Sequence, residues 1–200
     1  MTKTTLLERR MAKPKTRADA KETQERRLLL AMAQLVGRNG YAETSIAQVI
    51  ERAGVSRKTF YAFFADKEAC FLQAYAQLSG LLIDALVAQG SEASGEDRIE
   101  AQLRQYLETL ARDPLVARAF IVEVLSAGPR ALAEREAVNR QFADLVFAHT
   151  SDDALVRKAI IGGVNDVVVG ALLSGETDFV SLLPKLTRFV TRRWTEAGVS

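Results

Sequence analysis

Thr44-Ser45-Ile46-Ala47-Gln48-Val49-Ile50-Glu51-Arg52-Ala53-Gly54-Val55-Ser56-Arg57-Lys58-Thr59-Phe60-Tyr61-Ala62-Phe63-Phe64-Ala65-Asp66-Lys67-Glu68 reads as two very short helices, a tight turn and the start of a third helix. Ser45 and Gln48 stand at capping-box spacing, so they can satisfy the free amides that open the first short helix. Ile46, Val49 and Ile50 then share one face. Gly54 falls where that helix must stop, because glycine enters the left-handed conformation without a side-chain penalty. Val55 is the expected apolar pin of the turn. Ser56 is placed to cap the second short helix, whose Phe60 and Phe64 point inward. Asp66 is placed to cap the helix that follows.

This layout leaves Arg57, Lys58, Thr59 and Tyr61 near the outward face at the start of the second short helix. A DNA-binding helix-turn-helix has that need, since the N-terminal end of its second helix meets base edges in the major groove. Arg57 or Lys58 can donate to guanine O6 and N7, and the Thr59 methyl can meet a thymine methyl. Thr44, Ser45 and Ser56 offer hydroxyls and helix-start amides for positioning on phosphates. Phe60 and Phe64 are expected core, not intercalators.

The run Thr44-Ser45…Ala53-Gly54-Val55-Ser56…Thr59-Phe60-Tyr61…Phe64…Lys67-Glu68 resembles the DNA-binding signature of the TetR family of bacterial transcriptional regulators. The likeness extends back through Leu28, Ala31, Met32, Leu35, Gly40 and Tyr41 and covers about a quarter of the chain. Lys58 departs from it, standing where the family often has glycine, and adds a positive charge to the DNA-facing side. The resemblance implies an all-α fold with an N-terminal three-helix DNA-binding domain and a C-terminal helical domain for dimerisation and effector binding. It implies phosphate-facing roles for Tyr61 and Lys67, and a homodimer formed through the last two helices. It also implies a small molecule, bound in the C-terminal domain, that changes the spacing of the two reading heads.

The rest of the chain agrees with that outline. Two hundred residues can bury a real core, and 48% hydrophobic content with 4 prolines and 12 glycines favours helices. Residues 1–67 hold 14 Lys/Arg against 7 Asp/Glu, whereas residues 68–200 hold 13 against 18. A basic end on an acidic body suits docking of that end on phosphates. Residues 1–20 are expected to form a flexible basic arm, 21–66 the DNA-binding unit, and 67–200 the helical body. The single cysteine, Cys70, excludes an internal disulfide and fits a reducing, cytoplasmic setting. No stretch is expected to match a membrane span.

After Lys67 the spacing predicts helices over about 67–89, 96–111, 114–127 and 129–149, then 152–174 capped from Thr150-Ser151-Asp152, and finally 178–196. The last two are rich in apolar residues, and Gly162, Asp166 and Gly170 make a small-residue row suited to close helix approach. Tyr75, Tyr106, Phe120, Phe142, Asn165 and Asp166 combine aromatic and polar character and are the candidate ligand residues. A hydrophobic or aromatic effector suits them.

Catalysis is not expected. His149 and Cys70 are the only histidine and cysteine and lie far apart. No phosphate-binding glycine loop or metal-spaced cluster occurs, so no cofactor or metal is expected. The alternatives to a ligand-responsive repressor are a DNA-binding regulator controlled by a protein partner and a non-specific structural DNA binder.

Overall fold

The computed structural model describes residues 17–90, 95–147 and 153–196, and every regular element among them is helical. Helix α1 spans Arg17–Asn39 and is followed by α2 (Ile46–Ala53), α3 (Arg57–Phe63) and the long α4 (Lys67–Gly90). Then come α5 (Gly95–Arg112), α6 (Pro114–Ile121), α7 (Pro129–Val146), α8 (Ala154–Leu173) and α9 (Leu183–Glu196).

The helix-turn-helix is built by local chemistry. Ser45 and Gln48 form a reciprocal capping box on α2, with Ser45 N–H donating to Gln48 Oε1 at 2.8 Å. Gly54 ends α2 in the left-handed region at φ 62° and returns its N–H to the last turn. Ser56 caps α3 by accepting from Thr59 N–H at 3.0 Å, and Asp66 Oδ1 accepts from Ala69 N–H at 2.7 Å to start α4.

Two short helices cannot hold themselves together. Val49, Ala53, Phe60 and Phe64 bury completely against Leu28, Leu29, Met32 and Val36 of α1 and against Cys70 and Phe71 of α4, with Val55 packed at the edge. Removing a fully buried ring such as Phe60 from such a core costs roughly 3–5 kcal/mol. This core does not stop at the expected boundary after Asp66. It continues through Ala74 and Tyr75 of α4 into Ala119, Val124, Ala131 and Val138, so the reading head and the body share one apolar mass. A second core joins Ile99, Leu103 and Leu107 of α5 to Phe147, Ile160, Val164 and Val168 and to Phe179, Leu186 and Val190.

The tightest joint between the two is the crossing of α1 and α6. Gly37 of α1 lies so close to α6 that an added Cβ would stand 1.8 Å from the Leu115 carbonyl oxygen.

Several expectations change. Residues 17–20 are already helical, because Ala18, Ala20, Lys21 and Glu22 favour helix; the rest of the expected arm lies outside the described residues. The helix expected over 114–127 ends at Ile121 and continues as a 3-10 turn over Glu123–Ser126. The β-branched pair Ile121-Val122 is stiff against the preceding turn, and Glu123 is drawn aside by its ion pair with Arg118 at 3.3 Å.

The cap of α8 is Asp153, whose Oδ1 accepts from Leu155 N–H at 2.7 Å. Thr150, Ser151 and Asp152, like His149, fall outside the described residues. The last segment opens as a 3-10 turn over Phe179–Leu182 before α9, because Pro184 has no N–H for a continuous ladder. One described helix, Lys67–Ala88, has the length and apolar composition to cross a membrane, which the sequence reading did not expect. Here Phe71, Tyr75 and Leu86 are buried and Leu78 and Leu82 line a cavity, while Leu81 and Val87 are exposed.

Candidate nucleic-acid interface and internal cavity

Arg57 and Lys58 stand fully outward on the first turn of α3. Neither takes part in any of the ion pairs among the described residues. Thr59 is half-buried and shares a 2.8 Å hydrogen bond with Ser56 Oγ, so its hydroxyl is occupied in the cap and its methyl is the freer group. Tyr61 is 49% exposed and leans edge-on against Phe60, with ring centroids 5.4 Å apart. Ser45 and Ser56 are exposed with their oxygens engaged in capping, which orients the first amides of α2 and α3 outward.

Two candidates are placed differently from expectation. Thr44 is 1% exposed, and its hydroxyl donates to the Gly40 carbonyl at 2.8 Å. It braces the turn between α1 and α2 and cannot offer its hydroxyl to a phosphate from there. Lys67 turns inward: its ammonium donates to the Tyr41 carbonyl at 2.9 Å and the Ala42 carbonyl at 3.4 Å, and lies 4.3 Å from the Tyr41 ring centroid. In this conformer Lys67 locks the same turn from the other side.

Cations that the sequence reading passed over stand beside the face. Lys21 of α1 lies 5.5 Å from the Phe63 ring centroid, and Arg27 lies against Gly54 at the turn. Their signal was their place on the exposed side of α1.

Behind this head lies a cavity of about 280 Å³ between α1, α4, α5, α6, α7 and α8. Of the six candidate ligand residues, Tyr75, Tyr106, Phe120, Phe142 and Asn165 line this cavity. Asp166 does not; it is exposed on α8, because one residue's rotation about a helix carries a neighbour to another face. The walls are aromatic and ordered: Tyr75 packs T-shaped on Phe120 at 5.2 Å, and Tyr106 on Phe142 at 6.2 Å. Burial pushes the Tyr75 phenol up to about 12, with Arg135 opposing that shift, and raises Tyr106 further still. Both therefore serve as neutral hydrogen-bonding groups.

Tyr106 donates to Asn165 Oδ1 at 3.0 Å, and Asn165 Nδ2 donates to Asn139 Oδ1 at 3.2 Å. Arg112 and Arg135 also line the cavity and join none of the ion pairs among the described residues.

A polar chain ties the cavity wall to the reading head. Asp113, the N-cap of α6, accepts from Gln34 Nε2 at 2.8 Å. Gln34 Oε1 in turn accepts from Arg52 Nη2 at 2.6 Å and from Arg52 Nε at 3.2 Å. Gln34 and Asp113 line the cavity, while Arg52 is in the last turn of α2.

Cys70 is fully buried and its thiol is pushed up to about 12 by desolvation, so it stays protonated and unreactive at neutral pH. Among the described residues no group of three or more His, Cys, Asp or Glu can hold a metal ion.

The capped α2–turn–α3 unit, braced by α1 and seated on a helical body with an internal cavity, defines a helix-turn-helix protein of the two-part, all-α type. A family model described as bacterial regulatory proteins, tetR family, matches residues 28–74. The HTH-type transcriptional repressor KstR of Rhodococcus jostii (strain RHA1) is 27% identical over 139 residues, covering 68% of this chain and 63% of that protein. The HTH-type transcriptional regulator RutR of Escherichia coli (strain K12) is 25% identical over 118 residues, covering 59% of this chain and 56% of RutR. The matches thus span less than two thirds of the length of these curated relatives.

The fold matches that of the fatty acid degradation regulator FadR from Bacillus halodurans with a TM-score of 0.75 at 19% identity, covering 82% of this chain and 93% of that one. It also matches FadR from Bacillus subtilis in complex with stearoyl-CoA, with a TM-score of 0.73 at 16% identity over 82% of this chain and 97% of the other. Residues 28–74 thus carry the DNA-binding signature of the tetR family, and the whole described fold is like that of these regulators.

Proposed function

We propose that this protein is a ligand-responsive, sequence-specific DNA-binding repressor that acts in the cytoplasm as a homodimer on a pseudo-palindromic operator. The observation that carries the reading is a single connected arrangement. An outward Arg57–Lys58 pair opens a capped recognition helix, and the helix before it, α2, is joined through Arg52, Gln34 and Asp113 to the wall of a ligand-sized cavity.

The cavity favours control by a small molecule over control by a protein partner, which would suit a filled body. Its apolar walls suit a hydrophobic effector, and Arg112 and Arg135, which join no ion pair among the described residues, suit a negative group on it. A neighbour in fold binds stearoyl-CoA, which supports the same chemistry. Dimerisation through α8 and α9 is supported by Leu155, Val167, Leu173 and Phe189, all at least 43% exposed, beside Gly162 and Gly170, which have open space where a side chain would stand. One short helix reads few bases, and a twofold partner supplies the second half-site.

Selection from a random duplex pool tests the reading. An inverted repeat should be enriched, with half-sites one helical turn or a multiple of it apart. Uniform, salt-sensitive retention of all duplexes would replace this reading with a non-specific DNA binder.

The polar chain makes a second expectation. Without ligand, Gln34→Leu should bind DNA nearly as well as wild type. The factor by which stearoyl-CoA weakens binding to the selected DNA should nevertheless fall at least about threefold, because that factor is the coupling between the sites. Fluorescence anisotropy with and without stearoyl-CoA measures it, and an unchanged factor would remove Gln34 from the coupling.

A further inference from the structure

A second, smaller cavity of about 50 Å³ lies between α4, α5, α7, α8 and α9. Tyr106, Phe142 and Asn165 line both spaces, so the Tyr106–Asn165 hydrogen bond and the Phe142 ring stand where the two adjoin. Gln102 forms part of the wall of the smaller space. It is 2% exposed, and its Oε1 has no hydrogen-bond partner. An unpaired buried amide oxygen is destabilising unless something fills its valence, and natural interiors leave few such groups.

Gln102, Tyr106, Thr109 and Arg112 recur along α5 at steps of three and four residues, on one face. From Gln102 to Arg112 is a rise of about 15 Å along the helix axis. A cation therefore stands at one end of this row, an apolar and aromatic stretch in the middle, and an unsatisfied carboxamide at the other end.

Resting on the effector reading above, we propose that the two cavities are one ligand site, joined when the Tyr106–Asn165 hydrogen bond opens. The geometry fits a linear amphiphile: an anionic head at Arg112, an apolar chain past Tyr106 and Phe142, and a hydroxyl at the far end held by the Gln102 carboxamide. A hydroxyl both donates and accepts, so it satisfies the carboxamide through either of its polar atoms. A plain methyl end would leave Gln102 unpaired in a drier space. A site built around a hydrogen bond discriminates against the analogue lacking it more strongly than an apolar pocket discriminates a methylene.

Calorimetric titration of the full-length protein with dodecanoate and with ω-hydroxydodecanoate tests this, in wild type and in Gln102→Leu. The preference for the ω-hydroxy acid, taken as the ratio of the two Kd values, should be at least about tenfold greater in wild type than in Gln102→Leu. Gln102→Leu without ligand should melt no lower than wild type, since it replaces an unpaired polar group with an apolar one of similar size.

Equal ratios in the two proteins would overturn the proposal, as would a fall in Tm of several degrees, which would give Gln102 a structural partner. Failure of wild type to bind either acid would overturn it too. Enrichment of an inverted repeat from the duplex pool would then still leave the DNA-binding regulator standing.

Discussion

Arg57→Ala combined with Lys58→Ala is expected to remove selective DNA binding while leaving the fold intact. Both side chains are exposed on α3 and free of ion pairs among the described residues, so their truncation removes no internal contact. Exposed substitutions of that kind change stability by about 0.5 kcal/mol at most. A good bidentate base contact is worth roughly 1–3 kcal/mol of discrimination, and a homodimer makes each contact twice. The double variant should therefore lose about two to four orders of magnitude in affinity for the selected sequence.

The way the loss appears distinguishes base reading from phosphate positioning. Loss of base contacts removes the difference between selected and random duplexes, with little change in salt slope. Loss of phosphate contacts alone weakens binding to every duplex and lowers the slope by about one per contact. Anisotropy titrations of both duplexes across salt concentrations give both quantities. A variant that still prefers the selected duplex by the wild-type factor would take Arg57 and Lys58 out of sequence reading.

What was legible in the sequence was what local chemistry decides. Ser45 with Gln48, Ser56 with Thr59, Gly54, and Asp66 with Ala69 act over three residues or fewer, and each cap stands where the spacing put it. Phe60 and Phe64 are buried as the helical period required. Five of the six candidate cavity residues do line one space, because aromatic residues on the inward faces of several helices have to meet somewhere.

The misreadings depend on distant partners. Thr44 is an exception: in sequence it reads as a surface hydroxyl, but the tight turn folds it back onto the Gly40 carbonyl four residues earlier. Lys67 has a long stem that reaches either outward or back to the Tyr41 carbonyl, and spacing does not distinguish these. Gln34, Gln102 and Arg135 look like solvated helix polar groups in sequence. Their roles at the cavity exist only once α1, α5 and α7 are assembled.

Gly37→Ala is expected to give the largest stability change of any single methyl addition at a described glycine. The new Cβ would stand 1.8 Å from the Leu115 carbonyl oxygen and 2.6 Å from its carbon, both backbone atoms of α6. No rotamer change relieves a clash with backbone, so α1 and α6 must separate. Overpacking of this kind costs about 1–3 kcal/mol and sometimes more. For a chain of this size that corresponds to a fall in Tm of about 2–12 °C.

Gly80→Ala is the matched control. Gly80 lies inside α4 with nothing within 4 Å of an added Cβ, so the higher helix propensity of alanine should raise Tm slightly. Opposite signs from the same chemical change would locate the effect in the α1–α6 crossing and exclude a general helix effect. The crossing is also the junction used by the polar chain: Gln34 precedes Gly37 by one turn of α1, and Asp113 precedes Leu115 at the start of α6. Prying these helices apart lengthens the Gln34–Asp113 hydrogen bond, so Gly37→Ala should also weaken the response of DNA binding to ligand in the protein that remains folded. A Gly37→Ala protein with wild-type Tm would mean that α6 can slide along α1 at little cost, and a joint that slides freely could not carry a signal from the cavity to α2.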